Sequence, residues 1–139
     1  MALPRVSSVL ETSLYVADLE RSRTFYQRVF GFERFVDDGR MCALGVPGNQ
    51  VLLLFRHGST DEPAPVAGGF IPPHHGSGEL HLCFAIPFGE VAVWETHLRE
   101  QGIQVESRVT WPRGGTSLYF RDPDGHSLEV ATPGLWPNH

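Results

Sequence analysis

Apolar and polar residues alternate in several short runs along this chain, and each run predicts a strand with one buried face. In Glu11–Val16, Thr12, Leu14 and Val16 point one way, and Glu11, Ser13 and Tyr15 the other. Asp18 then reads as the N-cap of a helix over 19–30, with Phe25, Tyr26, Val29 and Phe30 as its apolar stripe. Gly31 suits the left-handed residue that closes such a helix. Strands are predicted over 32–36, 41–46 and 51–55, the last two joined by a Pro47-Gly48-Asn49-Gln50 turn. The pattern lapses over His57–Gly78, which is rich in Gly, Pro, Ser and Thr and reads as a linker. It then resumes: a strand over 81–86, a helix over 87–101 with Val91, Trp94 and Leu98 inward, and strands over 104–110, 117–121 and 127–131.

The last two strands flank Asp122-Pro123-Asp124-Gly125, strong turn chemistry. Leu118, Phe120, Leu128 and Val130 share one face. Glu129 lies on the other, and a carboxylate inside a short apolar strand is costly unless it is paired, bound to metal or facing water. The chain therefore reads as an internal repeat, an α+β fold of two pseudo-symmetric βαβββ modules over 6–56 and 79–132, with a linker over 57–78 and a tail over 133–139. Sliding the first half by about 70 residues puts Glu11 on His81 and Leu14 on Phe84. In the last hairpins Gly48 falls on Gly125, and Leu52 on Glu129. Equivalent strand faces are then expected to converge on one cavity.

Composition narrows the function classes. A net charge of −5 argues against nucleic acid and anionic membranes as partners. No apolar run is long enough to span a bilayer, and Met1–Arg5 lacks a signal-peptide pattern. Cys42 and Cys83 make neither a disulfide framework nor a CxxC site. A cytoplasmic setting is the expectation. No serine sits on a strand-to-helix elbow, and no Gly-rich phosphate loop is present.

Taken together, Leu14-Tyr15-Val16-Ala17-Asp18-Leu19-Glu20-Arg21-Ser22, Phe25-Tyr26, Phe30-Gly31-Phe32, Tyr119–His126 and Leu128-Glu129 resemble the vicinal oxygen chelate superfamily, which includes glyoxalase I, fosfomycin-resistance proteins, bleomycin-binding proteins and extradiol dioxygenases. The resemblance spans most of residues 8–132. It implies modules curling into a half-barrel with one divalent metal on the concave face. Its ligand positions fall on Glu11 and His81 at the starts of the first strands, and on Leu52 and Glu129 in the last strands. Glu11 replaces the His or Gln common there, and Leu52 donates nothing, which leaves a vacant coordination position and counts against glyoxalase I itself. One His and two carboxylates suit Mn, Fe(II), Ni, Zn or Mg.

Tyr119 is the candidate acid or hydrogen-bond donor to substrate; its plainer reading is an aromatic strand residue with a wet hydroxyl. Ser13 and Tyr15, Leu52, Arg56 at the rim, and Trp111 and Arg113 in a loop at the mouth are candidate substrate contacts. Arg113 is equally readable as a solvated loop residue. His74 and His75 read as ordinary linker residues, with a lid as the alternative. The function implied is a metal-dependent lyase, isomerase or ring-cleaving oxygenase that chelates a small substrate through vicinal oxygens, as a homodimer. The alternative is a non-catalytic small-molecule binder of the bleomycin-resistance kind.

Overall fold

The computed structural model describes residues 2–139, and the chain divides into two compact units, one ending at Ser77 and one beginning at Gly78. The first contains β1 (Glu11–Val16), α1 (Leu19–Phe30), β2 (Glu33–Asp37), β3 (Met41–Val46), β4 (Gln50–Arg56), β5 (Ala64–Val66) and β6 (Gly69–Ile71). The second contains β7 (His81–Ala85), α2 (Val91–Glu100), β8 (Ser107–Thr110), β9 (Thr116–Arg121) and β10 (Ser127–Ala131). Each unit has a four-stranded mixed sheet of the same order, β1-β4-β3-β2 and β7-β10-β9-β8, with the first and last strands parallel. The α+β fold and the βαβββ repeat are as the alternation predicts.

In the first unit, α1 starts where expected because the Asp18 carboxylate accepts the Arg21 N–H at 3.1 Å. It stops at Gly31, whose φ of 72° lets its N–H reach the Gln27 carbonyl. Its buried side, Phe25, Tyr26 and Val29, packs on β3 and β4. Leu14, Val16, Leu44, Leu52 and Leu54 are buried in the same unit. Each such side chain contributes about 1.5–3 kcal/mol by leaving water, so this layer outweighs any single surface contact.

The segment read as a linker carries the β5–β6 hairpin, turned at Gly68 with φ 91°. Three-residue strands, one holding Pro65, are too short to show a period in sequence.

In the second unit, Leu118, Phe120, Leu128 and Val130 form the buried side and α2 packs on β9. Leu98 is fully buried, whereas Val91 and Trp94 are only half-buried. The β9–β10 turn is built on Asp122, whose Oδ1 accepts the N–H groups of Asp124 and His126, each at 2.9 Å. Gly125 takes a φ of 84°, and its N–H returns to the Asp122 carbonyl.

Candidate functional site

The second unit brings two of the expected metal ligands together. His81 opens β7 and pairs in register with Ser127, and Cys83 pairs with Glu129. Across β9, Glu129 faces Tyr119 and Ala131 faces Ser117. His81, Cys83, Ser117, Tyr119, Ser127 and Glu129 therefore share the sheet face opposite the apolar layer.

Glu129 has a side chain only 5% exposed, and its Oε1 lies 3.2 Å from His81 Nε2. Its Oε2 is buried without a hydrogen-bond partner among the described residues. The Nδ1 of His81 is 2.9 Å from the Ser127 carbonyl. A carbonyl only accepts, so Nδ1 carries the proton and Nε2 presents its lone pair unless the ring takes a second proton. In the neutral ring two acceptors thus face each other, and either a proton or a cation resolves the conflict. An imidazole aimed by a backbone carbonyl, next to a buried carboxylate with an unused oxygen, is the donor chemistry that a divalent ion requires. These residues fit the metal that the resemblance implies. Among the described residues, no group of three His, Cys, Asp or Glu side chains is gathered to hold an ion.

The surroundings of Glu129 respond to its charge. Burial, then Glu129, raises the Tyr119 phenol above its usual value of 10. The Tyr119 ring stacks beside His81 with centroids 6.3 Å apart. Ser117, two residues back on the same face, accepts from Trp111 Nε1 at 2.8 Å. Trp111 thereby belongs to this face, while Arg113 stands exposed on the loop between Trp111 and Gly115.

Burial, then Glu129, pushes the Cys83 thiol up to about 12. The thiolate is the reactive form, so at pH 8 its fraction falls roughly a thousandfold below that of an ordinary thiol. Cys83 in the metal-free protein is expected to react with Ellman's reagent correspondingly slowly although the residue is exposed, and Glu129→Gln to speed the reaction. Labelling of the wild type at the rate of a free thiol would contradict this.

In the first unit, Glu11 is exposed at the start of β1, with Ser13 exposed on the same face. Tyr15, further along that face, is fixed: its hydroxyl lies 2.6 Å from His74 Nδ1. The His74 ring stands edge-on to Phe55, the β4 neighbour of Tyr15, with centroids 4.9 Å apart. The His74 backbone is tied to Thr60 in both directions. Gly76 passes so close that a Cβ there would sit 2.6 Å from the Tyr15 ring. His74 is thus no ordinary linker residue; the only sequence signal for it is the His74-His75 doublet.

Two expected substrate contacts are corrected. Leu52 is fully buried, beside Thr12 in register, on the side of the sheet that carries Leu14 and Leu54. The β4 residue equivalent to Glu129 is Leu53, which pairs with Ser13 as Glu129 pairs with Cys83. Arg56 falls in phase with Leu52, so it lines a recess at the start of α1 with Ala17, Asp18, Arg23 and Asp37, not the face of Glu11.

The chain matches the family model for the Glyoxalase/Bleomycin resistance protein/Dioxygenase superfamily over residues 8–130. It is 36% identical to the lactoylglutathione lyase structure from Agrobacterium tumefaciens, with a TM-score of 0.86, covering 96% of this chain and 99% of that one. It is 26% identical to the metallothiol transferase FosB of Bacillus licheniformis, over 84% of this chain and 70% of that protein. It is 29% identical to the catechol-2,3-dioxygenase of Bacillus subtilis, over 84% of this chain but only 38% of that longer protein. Among the described residues, no helix is long and apolar enough to cross a membrane.

Proposed function

The chain belongs to the glyoxalase/bleomycin resistance protein/dioxygenase superfamily, and from that premise we propose that it is a metal-dependent enzyme acting on a small molecule with two adjacent oxygens. The observation that carries this reading is the orphaned, buried Oε2 of Glu129 beside the lone-pair face of His81 Nε2. His81 and Glu129 would hold the ion. A bound divalent ion supplies Lewis acidity toward the substrate oxygens. Ser127 keeps the His81 lone pair aimed. Tyr119 holds a proton at its hydroxyl and donates it, as a hydrogen bond or as an acid, to a substrate oxygen. Trp111 lines the binding face, and Arg113 meets an anionic group at its mouth.

The reaction is of the lyase, isomerase or ring-cleaving type. A panel of α-ketoaldehyde thiol adducts, catechols and fosfomycin sorts these classes. A second copy of the chain is the proposed partner, and light scattering at micromolar concentration is expected to give a dimer mass; a monomer mass contradicts it. The test of the metal reading is retention after dialysis against Mn, Fe(II), Ni, Zn and Mg. One ion per chain is expected for the wild type and a large loss for His81→Ala. Equal retention by the two proteins defeats the proposal and favours a metal-free binder of small molecules.

A further inference from the structure

His126 has no part in the face just described, yet it is almost fully buried in the turn before β10. Its Nδ1 lies 2.9 Å from the backbone N–H of Leu80. A backbone N–H only donates, so Nδ1 is an unprotonated acceptor and His126 is the Nε2–H tautomer. Its own N–H is fixed by Asp122 Oδ1, and its carbonyl accepts the Asp122 N–H at 3.1 Å. The imidazole is thus held from behind by the turn.

Leu80 is the residue before His81, just outside the β7–β10 ladder. Its carbonyl accepts the Ser127 N–H at 2.8 Å, and its N–H is the group His126 takes. Ser127, next in chain after His126, presents the carbonyl that orients the His81 ring. Both constraints on His81, the placement of its backbone and the aim of its ring, therefore run through the Asp122–Ser127 turn. A strand end without such a tie frays, and fraying here turns the lone pair of Nε2 away from Glu129.

We propose that His126 is a positioning residue for His81: as a neutral acceptor it extends the β7–β10 pairing by one residue and fixes the rotamer and tautomer in which His81 receives a divalent ion. The role rests on the proposed function for the ion itself, but the preorganisation of His81 exists without it. Outer partners of metal ligands typically account for a 10- to 100-fold change in metal affinity.

The test uses the full chain and two substitutions. In His126→Asn an amide oxygen can still accept the Leu80 N–H; in His126→Leu nothing can. Calorimetric titration with Zn(II) alone is expected to show affinity lowered about 10- to 100-fold in His126→Leu and held within about threefold of wild type in His126→Asn, both folded by circular dichroism. Nitrogen-15 spectra of the metal-free wild type are expected to show His126 unprotonated at Nδ1 and His81 protonated there, with the single His81 tautomer lost in His126→Leu. Wild-type affinity in a folded His126→Leu, a tenfold loss in a folded His126→Asn, or a protonated Nδ1 on His126 overturns the inference. Should His126→Leu not fold, the last two readouts still decide it. A wild type that binds no zinc defeats the metal reading, while the nitrogen spectra decide the positioning role separately.

Discussion

Leu52→Glu is expected to leave the protein unfolded at room temperature, whereas Leu53→Glu is expected to fold. Leu52 is 0% exposed, with Thr12 beside it on β1 and Leu44 on β3. A carboxylate there has no partner, and a buried unpaired charge destabilises by several kcal/mol. The lost leucine adds about 2–5 kcal/mol more. Together these approach the whole stability of a small domain, about 5–15 kcal/mol. Leu53 is half-buried, beside Ser13, on the face that carries Glu11. Its carboxylate would reach water. Urea denaturation of both variants checks this; a stable Leu52→Glu protein would mean that β4 is one residue out of register.

The same pair of residues shows where sequence reasoning runs out. Matching Gly48 to Gly125 aligns the two hairpin turns and places Leu52 on Glu129. The pairing with the first strand of each unit says otherwise: Glu11 sits opposite Val51, and His81 opposite Ser127. That register is set between strands some forty residues apart, and a slip of one residue reverses every face. Turn residues do not encode it. The Tyr15–His74 pair was hidden for a related reason, since 59 residues separate its members. Local chemistry, by contrast, was legible. Asp18 and Gly31 bound α1, Asp122 and Gly125 turn β9 into β10, and the alternation in β9 and β10 separates Phe120 and Val130 from Glu129. His81 and Glu129 were legible as a candidate pair because they fall on the His and Glu ligand positions that the resemblance to the superfamily implies. The role of His126 was not, because a buried histidine in a turn looks the same whether it binds a metal, a backbone N–H or nothing.

Glu129→Gln is expected to abolish metal retention and, in the presence of EDTA, to raise stability by about 1–3 kcal/mol, because a buried charge facing an acceptor nitrogen is replaced by a neutral donor. The carboxylate is buried, one oxygen has no partner, and the other faces an imidazole nitrogen. The amide of glutamine donates an N–H to the lone pair of His81 Nε2 and carries no charge. With excess metal the order should reverse, because only the wild type gains stability from binding. Urea melts with EDTA and with Zn(II) read both halves. A variant less stable than wild type in EDTA would mean that Glu129 is a structural ion-pair residue held by protonated His81, with no ligand role.

Anomalous diffraction from a crystal soaked in Zn(II) decides whether His81 and Glu129 form one end of a metal site. A peak is expected about 2.0–2.2 Å from both His81 Nε2 and the Glu129 carboxylate, with His81 Nδ1 still on the Ser127 carbonyl. No peak there, with Nε2 and Oε1 still in direct contact at 3.2 Å, would contradict it.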